Sequence, residues 1–266
     1  MLAACEYKSL CYNDLLTGEP IGEIEKIALG YADRLRGVVL AFWSTNYLSL
    51  PEIRLPRRQN LFFAVEDMHF FTPEQADNLI RLSPVYCGLT WNYDNGLAGG
   101  AYSDGTLTER GKAVVRFLNR SGITVDLAHL NERSFFRVLE LAARPIVSHT
   151  FVSELHEHKR NISFRQIEAV IEKHGIIGLT PINDFTGGGF DAYVRGIAAL
   201  IDKFGDEYFA VGSDIYGSTD FPDELRGYDG YGALEAALAR LGYGQKTINK
   251  IMYENAVGFV GDGGLL

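Results

Sequence analysis

Short apolar runs rich in β-branched and aromatic residues recur along the whole chain, separated by stretches whose apolar positions return every three or four residues. A run of this kind reads as a strand covered on both faces, and the longer period as an amphipathic helix, so the alternation predicts repeated βα units around a parallel sheet. Eight runs are visible: Tyr7–Asn13, Val38–Thr45, Leu61–Asp67, Val85–Asn92, Thr124–His129, Pro145–Thr150, Gly175–Ile182 and Tyr208–Ile215. Ile24, Ile27, Ala28, Tyr31 and Leu35 make one helical stripe, and Val194, Ile197, Ile201 and Phe204 another. Thr72-Pro73-Glu74-Gln75 and Ser163 with Gln166 carry helix-start signals, each with a capping-box glutamine. The link between Thr45 and Asn60 holds two prolines and little periodicity, which predicts a short or missing second helix. Eight such units predict an α/β fold, a (β/α)8 TIM-type barrel with a shortened second unit. A doubly wound open sheet is the alternative, and no Gly-rich dinucleotide turn follows the first strand to support it. No repeat, low-complexity tract or linker divides residues 1–266, which are expected to form one domain.

The 266 residues are 47% hydrophobic and 22% charged, enough to bury a sizeable core, and the net charge of −9 argues against nucleic acid or an anionic membrane as partner. The one dense basic cluster, Arg54, Arg57 and Arg58, reads as a solvated loop. Cys5, Cys11 and Cys87 have no motif spacing and lie in apolar segments, so buried free thiols in a reducing compartment are expected. Neither a basic, apolar leader nor an eighteen-residue apolar stretch is present, and a cytoplasmic location follows as the expectation.

In a barrel of βα units, chemistry sits at the C-terminal strand ends. Asp14 follows the first run, Glu66 closes the third, His129 the fifth and His149 the sixth, and Asp214 lies near the end of the eighth. Each alone is as well explained as a cap or turn former. Five carboxylate or imidazole groups from five strands, however, suit a divalent metal or a pair bridged by a carboxylate. Asp126, inside the fifth run, is expected beneath the site as a structural acid or a histidine's partner, and His156, His158 and His174 on solvated surface.

The stretch VDLAHLNERSFFRVLELAARPIVSHTFVSELHEHKRNIS resembles the membrane (renal) dipeptidase family of zinc metallopeptidases, whose order is a "DLSH" strand end, an "SHS" strand end twenty residues later, and an "RN" before the next helix. VEDMH (65–69) is similar to the family's "EGGH", LTWNYDNGLAGG to "LTHN…N.LAG", VGSDIYG (211–217) to "GSDFDG", and ENAVGFV to "GNxxRV". The likeness extends over most of residues 61–260 and more weakly to FWST and YNDLL. It implies Glu66 as the bridging carboxylate of a two-metal zinc site, His129 and His149 on the more buried metal, and Asp14 on the second. It further implies Asp214 as acid/base, Arg160 as receiver of the substrate's free carboxylate, a dipeptide substrate, and a homodimer, since members are often dimeric.

Two departures bear on activity. The family's first strand ends in "HNDL" and this one in Tyr12-Asn13-Asp14-Leu15, so a phenol with a pKa near ~10 replaces an imidazole. Trp91 stands at the histidine of "LTH", against the substrate, where an indole can donate one hydrogen bond but carry no proton charge; packing in the mouth is its plainer role. The spacing from FWST to Glu66 is also shorter than in the family. A hydrolase of small amides with one tightly held zinc, the second weak or absent, is therefore expected. A catalytically silent barrel serving as a binding or assembly protein is the alternative.

Overall fold

A computed structural model describes residues 7–13, 21–33, 35, 37–43, 59–227 and 230–260, with backbone alone for 7–13 and 21–25. Asp14, the proline-rich link after Thr45, the Arg54 cluster and Cys5 lie outside the described residues, as do the side chains of Tyr12 and Cys11. A strand forms at each of the eight predicted runs, β2 starting one residue early: β1 Tyr7–Asn13, β2 Gly37–Trp43, β3 Leu61–Val65, β4 Tyr86–Gly88, β5 Thr124–Asp126, β6 Pro145–Thr150, β7 Ile176–Leu179 and β8 Phe209–Val211. They pair in parallel and in chain order, β1 to β8. The edge strands β1 and β8 also approach each other, so the sheet curls back on itself. Several strands are shorter than their runs, because the chain turns away to build the loops that carry polar residues.

The helices between them are α1 Ile21–Ala32, α2 Ala76–Leu82, α3 Glu109–Arg120, α4 Glu132–Leu141, α5 Phe164–Glu172, a single turn α6 Asn183–Thr186, α7 Gly189–Phe204, α8 Tyr231–Arg240, α9 Gln245–Asn249 and, after a π-helical turn at Lys250–Glu254, α10 Asn255–Val260. Ser163 and Gln166 form the reciprocal capping box that the sequence predicts for α5. The other predicted box does not form. Thr72 makes no side-chain cap bond, and Pro73–Gln75 instead make a 3₁₀ turn that leads into α2.

Strand parity sorts the core. Val38, Leu40, Phe42, Phe63 and Val65 pack in the large cluster shared with the helices. Their alternates Val39, Ala41, Ala64, Ile176 and Ala210 form a second cluster with Ala256 and Val260 of α10. The same two-residue period carries Ala41 on to Trp43, Ala64 to Glu66 and Ala210 to Asp214. Polar side chains thus continue the inner face past the C-terminal strand ends, while α10 packs on the same face deeper in the sheet.

Candidate metal and active site

Glu66, His129 and His149 are buried, at 4%, 5% and 3% exposure, and they come together although they leave three different strands. Glu66 follows β3 in phase with the inner face. Gly88 of β4 lets its backbone pass close, since a Cβ there would strike the Glu66 carbonyl oxygen. His129 and Asp214 turn inward through left-handed backbone, at φ of 66° and 53°. Such conformations cost non-glycine residues of order 1 kcal/mol and gather at functional sites. His149 is brought inward by a register shift between Val147 and Thr150.

The donor atoms converge closely. His129 Nε2 is 2.5 Å from Glu66 Oε1 and 2.8 Å from His149 Nε2, which is in turn 3.6 Å from Glu66 Oε1. The outward ring nitrogens are occupied. His129 Nδ1 lies 2.8 Å from Asn92 Oδ1, and His149 Nδ1 lies 2.9 Å from Ser148 Oγ. Ser148 Oγ donates to Asp126 Oδ2 at 2.5 Å, so it can only accept from His149. Both imidazoles are thereby held with the proton on Nδ1, and two nitrogen lone pairs face a carboxylate oxygen. Three lone pairs in one buried spot repel one another unless a cation sits between them, and two histidines with one carboxylate are an established zinc donor set. Burial, aided by the Arg160 cation, pushes both imidazole pKa values well below the ordinary value, which keeps the rings neutral and able to ligate.

Asp126 fills the supporting role expected of it: it accepts from the backbone N–H of Ala128 and Ser148 as well as from the Ser148 hydroxyl. Its carboxyl is raised to about 6, chiefly by burial. Asp214 Oδ2 lies 4.0 Å from His149 Nε2, beside the donor cluster. Burial and the nearby Glu66 push its pKa well above the usual value. Arg160 is buried in the loop after β6, its carbonyl held by the Thr150 hydroxyl and one guanidinium nitrogen 3.4 Å from the His149 carbonyl. The guanidinium feels Glu66, Asp214 and Asp126 at a distance and is ion-paired with no described residue.

Glu66, His129, Arg160 and Asp214 open on a cavity of about 650 Å³, lined also by Trp91, Tyr102, His156, His158, Asp184 and Phe185. The surface reading of His156 and His158 is therefore corrected. His158 stacks on Phe185 at 4.5 Å, accepts the Arg160 backbone N–H at Nδ1 and points Nε2 at Asp184 Oδ2, 3.3 Å away. His174 is exposed, as expected. Asn92 and Ser148, which orient the two histidines, are absent from the sequence reading. Both fall inside the family motifs quoted above, Asn92 in LTWN and Ser148 in SHT, but nothing in the sequence marks them as partners of the histidines.

The profile of the family described as membrane dipeptidase, peptidase family M19, matches residues 56–261. This chain belongs to that family. Among curated relatives, the chain is 30% identical over 158 residues to an uncharacterised protein in the pqqA 5′ region of Klebsiella pneumoniae, covering 56% of this chain and 58% of that one. It is 26% identical over 157 residues to dipeptidase tcpJ of Claviceps purpurea, covering 57% of this chain and 37% of the relative. The chain thus matches about half, or less, of these relatives' lengths. A solved M19 metallopeptidase, dipeptidase AC, superposes with a TM-score of 0.80 at 20% identity over 97% of this chain and 98% of that one, which establishes the shared fold. Among the described residues, no helix of this M19 chain is long and apolar enough to cross a membrane.

Proposed function

We propose that this chain is a metal-dependent hydrolase of dipeptides or similar small amides, built as a single closed (β/α)8 barrel in the cytoplasm and working with one tightly held zinc. The approach of β1 to β8 supports closure. The observation that carries the functional reading is the convergence of Glu66 Oε1 with the two Nε2 lone pairs, each histidine held from behind. Glu66, His129 and His149 would hold the zinc, which when bound supplies a water of lowered pKa and polarises the amide carbonyl. Arg160, a buried guanidinium with no described carboxylate partner, receives the substrate's terminal carboxylate through its bidentate fork. Asp214, beside the donor cluster, takes a proton during attack and returns it to the leaving amine nitrogen. Trp91 contacts the substrate from the cavity wall. Asp14 is assigned to a weak second metal position, where the replacement of the family's histidine by Tyr12 removes a nitrogen donor.

Metal analysis and turnover test this together. The expected result is one zinc retained per chain after dialysis and hydrolysis of simple dipeptides, with both lost in His149→Ala. Two retained zinc ions would refute the mononuclear site. Background turnover in the zinc-loaded protein, unchanged by His149→Ala, would establish the silent alternative.

A further inference from the structure

Both tryptophans of the chain, Trp43 and Trp91, pack against each other, and one of them reaches the cavity. Their ring centroids are 4.6 Å apart at an interplanar angle of 45°. Trp43, the last residue of β2, is buried, whereas Trp91 is half-buried, lines the cavity, and lies 6.1 Å from the His129 ring. Its backbone is fixed as well: the Trp91 N–H donates to Asp67 Oδ2 at 3.2 Å, and Asp67 also accepts from Asn95 and from the His69 backbone. One indole is thus backed by a second and held on a braced loop.

Strand order places this indole relative to the rest of the site. The strands follow one another around the sheet in chain order, so Trp91 after β4, His129 after β5, and His149 with Arg160 on and after β6 succeed each other around the mouth. Trp91 and Arg160 therefore lie on either side of His129 and His149, with Glu66 after β3 beyond Trp91. A dipeptide with its carboxylate at Arg160 and its scissile carbonyl at Glu66, His129 and His149 runs its N-terminal residue toward Trp91. Among the described residues, the charged wall groups His158, Asp184 and Asp220 follow β6, β7 and β8 respectively. On the β4 side, Trp91 is followed by Asn92, whose amide oxygen is already engaged by His129.

We propose that Trp91, backed by Trp43, is the specificity-determining surface for the N-terminal residue of the substrate and selects dipeptides that carry an aromatic side chain there. The proposal rests on the dipeptide-hydrolase reading above. A rigid indole face backed by a second ring favours an offset or edge-on aromatic partner, and the preorganisation spares the entropy of ordering the wall.

The test compares kcat/KM of the zinc-loaded full chain for Phe-Gly, Gly-Gly, Gly-Phe and Lys-Gly, alongside tryptophan-selective fluorescence, which here reports these two rings and no others. The expected result is at least about tenfold preference for Phe-Gly over Gly-Gly, with a fluorescence change for Phe-Gly. Trp91→Ala should bring that ratio close to one, while Trp91→Phe retains most of it and shows that the fold and the aromatic surface suffice. Equal turnover of Phe-Gly and Gly-Gly, or a preference for Lys-Gly or Gly-Phe, overturns the proposal and leaves the hydrolase reading standing. Phe-selective fluorescence without turnover upholds the surface and overturns the hydrolase reading. Neither turnover nor a fluorescence change with any dipeptide overturns both.

Discussion

At the scale of single residues, the two histidines are held by unequal means. His129 leans on a neutral amide oxygen from Asn92, whereas His149 is tied through Ser148 to the buried carboxylate of Asp126. A partner of this kind both fixes the tautomer and aims the ring, and its loss commonly costs 10–100-fold in metal affinity. Ser148→Ala should therefore weaken zinc binding by about that factor, as read by competition with a chromophoric chelator, while Ser148→Thr, which keeps the hydroxyl, stays near the parent value. Unchanged affinity in the alanine variant would show that the ring needs no such support. Glu66, His129 and His149 were legible as residue types at strand ends, since ligand chemistry admits few side chains there. Ser148 and Asn92 were not, because a serine beside a histidine or an asparagine after a tryptophan is ordinary until the fold shows what each one touches.

Among the elements, local signals succeed where the chain's own neighbours settle the matter. The Ser163–Gln166 box closes within one helical turn, so its sequence spacing is sufficient to foresee it. Thr72 has the same signature, yet Pro73–Gln75 tighten into a 3₁₀ turn and Thr72 does not cap. The anchoring of the C-terminal segment has no local signature at all. Asp206, just before β8, accepts from the Thr247 hydroxyl at 2.6 Å and from Lys250 Nζ at 2.8 Å, and Asn255 donates to the backbone carbonyls of Asp206 and Phe209. These bonds tie α9, the π-helical turn and α10 to the sheet. Burial alone would raise the Asp206 pKa, but the Lys250 and Thr247 hydrogen bonds outweigh it and hold the carboxyl below its usual 3.8. A carboxyl depressed in the folded state contributes stability above the unfolded-state pKa and loses it as the pH falls through the folded one. Asp206→Asn should accordingly lower the melting temperature of the metal-free protein at pH 7, by an amount that shrinks as the pH falls below 3.8. A pH-independent difference between the two melts would assign the loss to packing instead.

For the whole molecule, the Glu66, His129 and His149 cluster joins the ends of β3, β5 and β6 through side chains that only the folded chain brings together, so a metal bound there would feed back on folding. Zinc at a thousandfold excess over its Kd should stabilise the native state by about 4 kcal/mol. In a chain of this size that is a rise in Tm of roughly 10 °C. Differential scanning calorimetry should show the rise, its reversal by a chelator, and its absence in His149→Ala; an equal rise in that variant would place the zinc elsewhere.

The amino-acid sequence by itself determined the succession of strands and helices and the strand-end positions at which ligating chemistry could occur. Those follow from period and residue type, which are properties of neighbours along the chain. Only the tertiary structure decided that His156 and His158 line the cavity, that the Nε2 atoms of His129 and His149 meet at 2.8 Å, and that Trp91 rests on Trp43. These depend on left-handed turns, a register shift and contacts between residues tens of positions apart, and no local pattern in the chain encodes where such distant groups meet.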